Sequence, residues 1–199
     1  GGGRRLSAAA GRFLHRPKVY CLGLTLILLL WMPGQAPGAD GTWANATGGV
    51  WSTAANWTGS TIADGAGAAA DIEMQFTRNP TIIDLDSSRT LESLILSDST
   101  TGFLPVYLTN SGGATLTFTV SGGGACSITK NTTTSNDKDI ISPPIFLSDT
   151  LDITVQTTTA GGTLELCGAI SAGTAGTKTI TCNGTGNKGL FLSGAITDG

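Results

Sequence analysis

Histidine occurs once, at His15, and charged residues make up only 13% of the 199-residue chain. With no imidazole after residue 15, catalysis by a Ser–His or Cys–His pair is excluded for the rest of the chain. The four cysteines, Cys21, Cys126, Cys167 and Cys182, are widely spaced and form none of the close pairs typical of zinc sites. Two readings of the last three stay open: small buried hydrophobes, or a Cys167–Cys182 bridge between neighbouring turns in an oxidising compartment. Helical periodicity is also missing, since nothing after residue 40 sustains a 3.6-residue pattern. Long apolar runs are equally scarce. The longest, Val19–Met32, would cover about 21 Å as a helix, against about 30 Å for a bilayer core.

That run sits in a recognisable setting. Arg4, Arg5, Arg12, Arg16 and Lys18 precede it, Pro33-Gly34 breaks it, and Gln35-Ala-Pro-Gly-Ala39 follows with small residues. A basic segment, a short apolar core and a small-residue site make up a secretory signal peptide, expected to be cleaved after Ala39. Cys21 lies at the start of the run rather than its end, which argues against a lipoprotein site. Residues 40–199 then keep six basic residues (Arg78, Arg89, Lys130, Lys138, Lys178, Lys188) against 14 Asp and Glu, a net charge of −8. An acidic chain without a basic patch excludes nucleic acid as a partner. Extracellular polysaccharide and surface proteins remain, at a secreted or cell-surface location.

Glycine and threonine are abundant. Residues 40–70 hold Trp43, Trp51 and Trp57 in one short stretch with Gly48-Gly49 between the first two, a pattern that predicts a β-hairpin. Its indoles are either a platform for sugar rings or a cap over the end of a β-stack. From Asp71 onward the chain alternates in short strings. Strands are expected at 71–76, 81–85, 90–96, 104–109, 115–120, 126–130, 140–147, 151–156, 163–170, 177–182 and 189–196. Gly-rich segments supply the turns, and Pro143-Pro144 interrupts one string.

Many short strands fit either a β-sandwich or a solenoid. A recurrence decides for the solenoid. Gly162–Gly173 (Gly-Thr-Leu-Glu-Leu-Cys-Gly-Ala-Ile-Ser-Ala-Gly) returns 26 residues later as Lys188–Gly199 (Lys-Gly-Leu-Phe-Leu-Ser-Gly-Ala-Ile-Thr-Asp-Gly). Leu164/Leu190, Leu166/Leu192, Gly168/Gly194, Ala169/Ala195 and Ile170/Ile196 coincide. A strand-and-turn unit at that period is the signature of stacked repeats. The expected architecture is all-β: a parallel β-helix over residues 71–199, with a hairpin cap at 40–70. Each coil is expected to hold two strands and two turns, six or seven coils fit, and the array is expected to run past Gly199.

The ordered set Trp43…Trp51…Asn56-Trp57, Ile62-Ala-Asp-Gly-Ala-Gly-Ala68…Asp71-Ile72, Thr81-Ile-Ile-Asp-Leu-Asp86…Arg89-Thr-Leu-Glu-Ser-Leu94 and Leu190–Gly199 resembles a known family. It is similar to the N-terminal part of bacterial proteins with autotransporter-associated β-strand repeats, large exported proteins of planctomycetes and verrucomicrobia. The resemblance implies a right-handed parallel β-helix exposed at or beyond the cell surface, with no shared catalytic residues.

The remaining chemistry lies in carboxylates two residues apart, Asp71/Glu73, Asp84/Asp86 and Asp137/Asp139, and in Asp149/Asp152. On a strand, residues i and i+2 share a face, as acid–base work or calcium binding would need. The same spacing also marks an ordinary solvated strand face, and that reading is preferred. No catalytic residue, metal site or cofactor is assigned. The expected function is a structural or adhesive surface solenoid that is not an enzyme. A carbohydrate-binding or polysaccharide-cleaving β-helix is the alternative.

Overall fold

The computed structural model describes residues 37–98, 104–131, 138–156, 162–185 and 189–198. All fall in one compact unit, Ala36–Gly199. The signal-peptide reading covers residues up to Ala39, of which 1–36 lie outside the described residues, as does Asp137. Among those described, the only helical residues are two 3₁₀ turns, Ala54–Asn56 and Thr58–Ser60. No helix there is long and apolar enough to cross a membrane.

Among the described residues, seventeen short strands form three parallel sheets. The first stacks β1 (Gly41–Thr42), β3 (Ala69–Met74), β6 (Ser93–Asp98), β9 (Ala125–Lys130), β12 (Thr150–Gln156) and β15 (Ile180–Thr185). The second stacks β2 (Gly49–Val50), β4 (Thr81–Asp84), β7 (Val106–Thr109), β10 (Lys138–Ile141), β13 (Thr163–Leu166) and β16 (Leu190–Leu192). The third holds β5 (Arg89–Leu91), β8 (Leu116–Phe118), β11 (Ile145–Leu147), β14 (Ile170–Ala172) and β17 (Ile196–Thr197). The chain visits the sheets in turn, so it is a β-solenoid of five full coils behind a partial leading one. It is no sandwich.

The 26-residue recurrence is the register of the stack itself. Leu164 pairs with Leu190, Leu166 with Leu192 and Ile170 with Ile196. Alternation puts every second side chain inside, where it stands on its counterpart one coil away. Ile83, Leu108, Ile141, Leu166 and Leu192 form one such column. Leu91, Phe118 and Leu147 form another. These columns belong to a single apolar core that reaches from Trp43 to Ile170. Each fully buried aliphatic or Phe side chain contributes about 1.5–3 kcal/mol.

Three features differ from the sequence expectation. Coils have three strands rather than two, because the strings 90–96, 140–147, 163–170 and 189–196 each turn a corner midway, at Glu92, Pro143-Pro144, Gly168 and Gly194. Alternation continues across the last three corners, so a period-two pattern does not show them, while at Glu92 it slips by one residue, from inward Leu91 to inward Leu94. Five coils form rather than six or seven, and five is what the 129 residues from 71 to 199 hold at a 26-residue period. The expected hairpin is absent. β1 lies parallel to β3 and β2 parallel to β4, so both are sides of the leading coil. Gly48 makes that turn at φ +82°, and a Cβ there would sit 2.2 Å from the Ile82 carbonyl oxygen.

The repeated glycines have a steric cause. A Cβ on Gly168 would lie 2.1 Å from the Pro143 oxygen, and one on Gly194 would lie 2.0 Å from the Gly168 oxygen. Backbone packs on backbone at this corner, coil after coil. Gly168→Ala should therefore cost about 1–3 kcal/mol, as overpacking does. Gly122→Ala, with nothing within 4 Å of its Cβ, should stay within about 0.5 kcal/mol. Thermal melts of the two variants check the contrast; equal melting temperatures would contradict it.

Candidate functional site: the tryptophan end and the acidic corners

Trp43, Trp51 and Trp57 converge at the leading coil and are 2%, 0% and 2% exposed. Trp57 packs edge-on against Trp43 at 5.1 Å and against Trp51 at 4.8 Å between ring centroids. Their indole N–H groups donate to the carbonyls of Asn45 (2.8 Å), Ala63 (3.2 Å) and Trp51 (2.7 Å) respectively. Ring faces in contact with each other and with the first coil leave none open to a sugar. Gly41 admits Trp57, since a Cβ there would meet the indole at 2.8 Å. The buried Asn56 bridges Val50 O and Asn45 Nδ2 beside them, each at 2.8 Å.

Of the paired carboxylates, Asp84, Asp86 and Asp149 serve as links between coils, and the unpaired Asp64 and Glu165 do the same. Asp84 Oδ1 accepts from the Ser111 amide (2.9 Å) and the Thr109 hydroxyl (3.1 Å) of the next coil, and Oδ2 accepts from the Ser111 hydroxyl. Asp86 reaches the other way, to the amide and hydroxyl of Ser52. Asp149 takes the Val120 amide (3.0 Å) and the Thr119 hydroxyl (3.1 Å). Asp64, in the leading coil, takes the Thr90 amide (3.0 Å) and the Arg89 guanidinium (2.9 Å). Glu165 is shared between Lys138 in the coil before and Ser193 in the coil after. At a corner the parallel ladder lapses, and a short acidic side chain accepts the amides left over.

Two groups depart from this pattern. Asp71 and Glu73 share the outer face of β3. Burial first, and the neighbouring Glu73 charge second, raise the Asp71 carboxyl above its ordinary range. Its Oδ1 is buried without a hydrogen-bond partner, while Asn131 holds Glu73 at 3.1 Å. Asp139, expected on a solvated face, is instead fully buried against Lys130. A strand residue adjacent to a turn can face either way, and the alternation around it could not show which.

The three described cysteines, Cys126, Cys167 and Cys182, are free. Cys126 lies in the core, where burial pushes its thiol up to about 12. Cys167 and Cys182 are exposed and unbridged, Cys167 at a corner and Cys182 in the last coil. Cys182 continues the inward column of Ile128 and Ile153, but no further coil covers it in this structure. Among the described residues, no group of three or more His, Cys, Asp or Glu could hold a metal ion. A cleft of about 250 Å³ opens at the last coil between Ile170, Ile180 and Ile196. It exposes the end of the core. Outside, the second sheet carries an apolar row of Ile82, Tyr107 and Ile140, with Phe191 at its end beyond Glu165. Ile82 is 49% and Phe191 57% exposed. Comparisons with protein-family models, curated proteins and solved structures find no match for this chain.

Two predictions follow from this geometry. Trp51→Ala should cost about 3–5 kcal/mol, the usual loss for emptying a buried aromatic site, measured by urea unfolding; a loss below 1 kcal/mol would contradict the packing. The second concerns acid. Burial pushes the Asp86 carboxyl up, but the Ser52 hydroxyl and amide together outweigh it and hold the group below its ordinary range. The unfolded chain then binds the proton more readily, so the link's contribution is present at neutral pH and lost as pH falls through the lowered value. Asp86→Asn should melt below wild type at pH 7, and the gap should shrink as the pH falls through the acid range below the ordinary Asp value. A gap independent of pH would contradict the assignment.

Proposed function

We propose that this chain is an exported structural β-solenoid, a non-catalytic scaffold that presents its outer faces at or beyond a cell surface. The observation that carries this reading is the use of the carboxylates. Those at the corners are occupied in holding one coil to the next, and groups so engaged are not poised to accept a substrate proton. The tryptophans support it as well, since they close the leading end of the core instead of lining its surface. The basic, apolar and small-residue blocks of residues 4–39 supply the route of export. The ordered similarity to proteins with autotransporter-associated β-strand repeats agrees in kind. The apolar row on the second sheet is the face assigned to contact with other surfaces.

A second reading, polysaccharide binding or cleavage, draws on Asp71 and Glu73. A raised carboxyl beside a second carboxylate on a single face is the arrangement an acid–base pair would need. Incubation with a polysaccharide panel distinguishes the two. The scaffold reading expects no release of reducing ends and no retention on glycan arrays. Release that disappears in Asp71→Asn, with an unchanged β-rich circular dichroism spectrum, would establish the second reading instead.

Export has its own test. Expressed from residue 1 in a bacterial host, the protein should leave the cytoplasm and begin at Asp40 by N-terminal sequencing. Cytoplasmic protein retaining residues 1–39 would contradict the proposal.

A further inference from the structure

The third coil carries charge inside, where its neighbours carry aliphatic side chains. Lys130 ends β9 in register with Leu96 of the coil before and Val155 of the coil after, and is 1% exposed. Asp139, at the start of β10, pairs with the inward Leu164 and is completely buried. The Lys130 ammonium contacts Asp139 Oδ2, while the Val106 amide donates to Oδ1 at 2.8 Å. A second carboxylate is close by. Asp98 ends β6, is fully buried, and accepts the Phe76 amide at 3.3 Å. Its charge is felt at Asp139.

Packing alone gives no reason for this arrangement. Two aliphatic residues of similar volume would be as stable as a buried ion pair, or more so. What the site does provide is a primary amine touching a carboxyl group away from water, with another acid beside them. We propose that Lys130 and Asp139 condense into an intramolecular isopeptide bond, with Asp98 carrying protons between them.

The step balances without any co-reactant. A proton passes from the ammonium to the carboxylate side, leaving a neutral amine and a neutral acid, a transfer that a low-dielectric interior favours. Burial holds the Asp139 carboxyl above its ordinary range in spite of Lys130. The Nζ lone pair then attacks Cγ, and charge develops on Oδ1, where the Val106 amide is already placed to stabilise it. Asp98 takes the second proton from Nζ and returns it to Oδ2, which leaves as water. One N–C bond forms and one C–O bond breaks. Two of the three ammonium protons depart in the water, the third remains as the amide N–H, and nothing is oxidised or reduced. The product ties the end of β9 to the start of β10, closing the corner between the first and second sheets.

Intact-mass spectrometry of the purified full chain under denaturing conditions tests this. A sample first shown by circular dichroism to be β-rich should be lighter by one water than its sequence mass. Tryptic digestion should fail after Lys130 and yield a branched peptide joining it to Asp139. Asp139→Asn should form the same amide while losing ammonia, and Lys130→Met should keep its full mass. Full sequence mass in folded wild-type protein, with normal cleavage after Lys130, would overturn the bond and leave an ion pair. A water-depleted Asp98→Asn variant would overturn the role given to Asp98.

Discussion

Everything in this fold depends on parallel register. A coil of three strands has no sheet of its own, since its backbone N–H and C=O groups are satisfied only by the coils on either side. Once one pair of coils is in register, each inward side chain lands on its counterpart. A slip of one residue would turn every column inside out. The column Ile83, Leu108, Ile141, Leu166 and Leu192 shows how far that order extends. The glycine corner shows how tightly it is set, because Gly194 sits on the Gly168 carbonyl as Gly168 sits on that of Pro143.

Corners are where such a stack is weakest, and the charge distribution answers this. Inside the strands the ladder satisfies the backbone. Between them, Asp64, Asp84, Asp86 and Asp149 accept amides and hydroxyls from an adjoining coil. An acidic chain with few charges can thus devote many of them to its own cohesion. The leading end has a different solution. Three tryptophans with satisfied indole N–H groups pack on one another inside the leading coil.

The recurrence at Gly162 and Lys188 was legible because identical side chains must stack, and its spacing proved to be the register. Corners were not. Alternation runs on through Gly168 and slips by only one residue at Glu92, so two strands read as one and a three-sided coil as a two-sided one. The Gly48-Gly49 turn looked like a hairpin because local sequence shows that the chain bends, while the partner that takes the strand, β4, lies far along it. Asp84 and Asp86 were identifiable as carboxylates two apart, yet their partners Ser111 and Ser52 lie in other coils. Asp139 was hidden for a similar reason. Its burial depends on Lys130 across a corner, and no periodicity reports a contact of that kind.

The claim most open to direct measurement is the stacking itself. On the outer face of the third sheet, Thr90, Thr117, Phe146, Ser171 and Thr197 occupy one row across five coils. Spin labels at Thr90→Cys and Thr197→Cys, in a chain whose native cysteines are replaced by serine, would be four strand spacings apart. Double electron–electron resonance should give one narrow distance near ~20 Å, set by ~4.8 Å per spacing. A broad distribution, or a distance beyond ~35 Å, would contradict a parallel stack in this register.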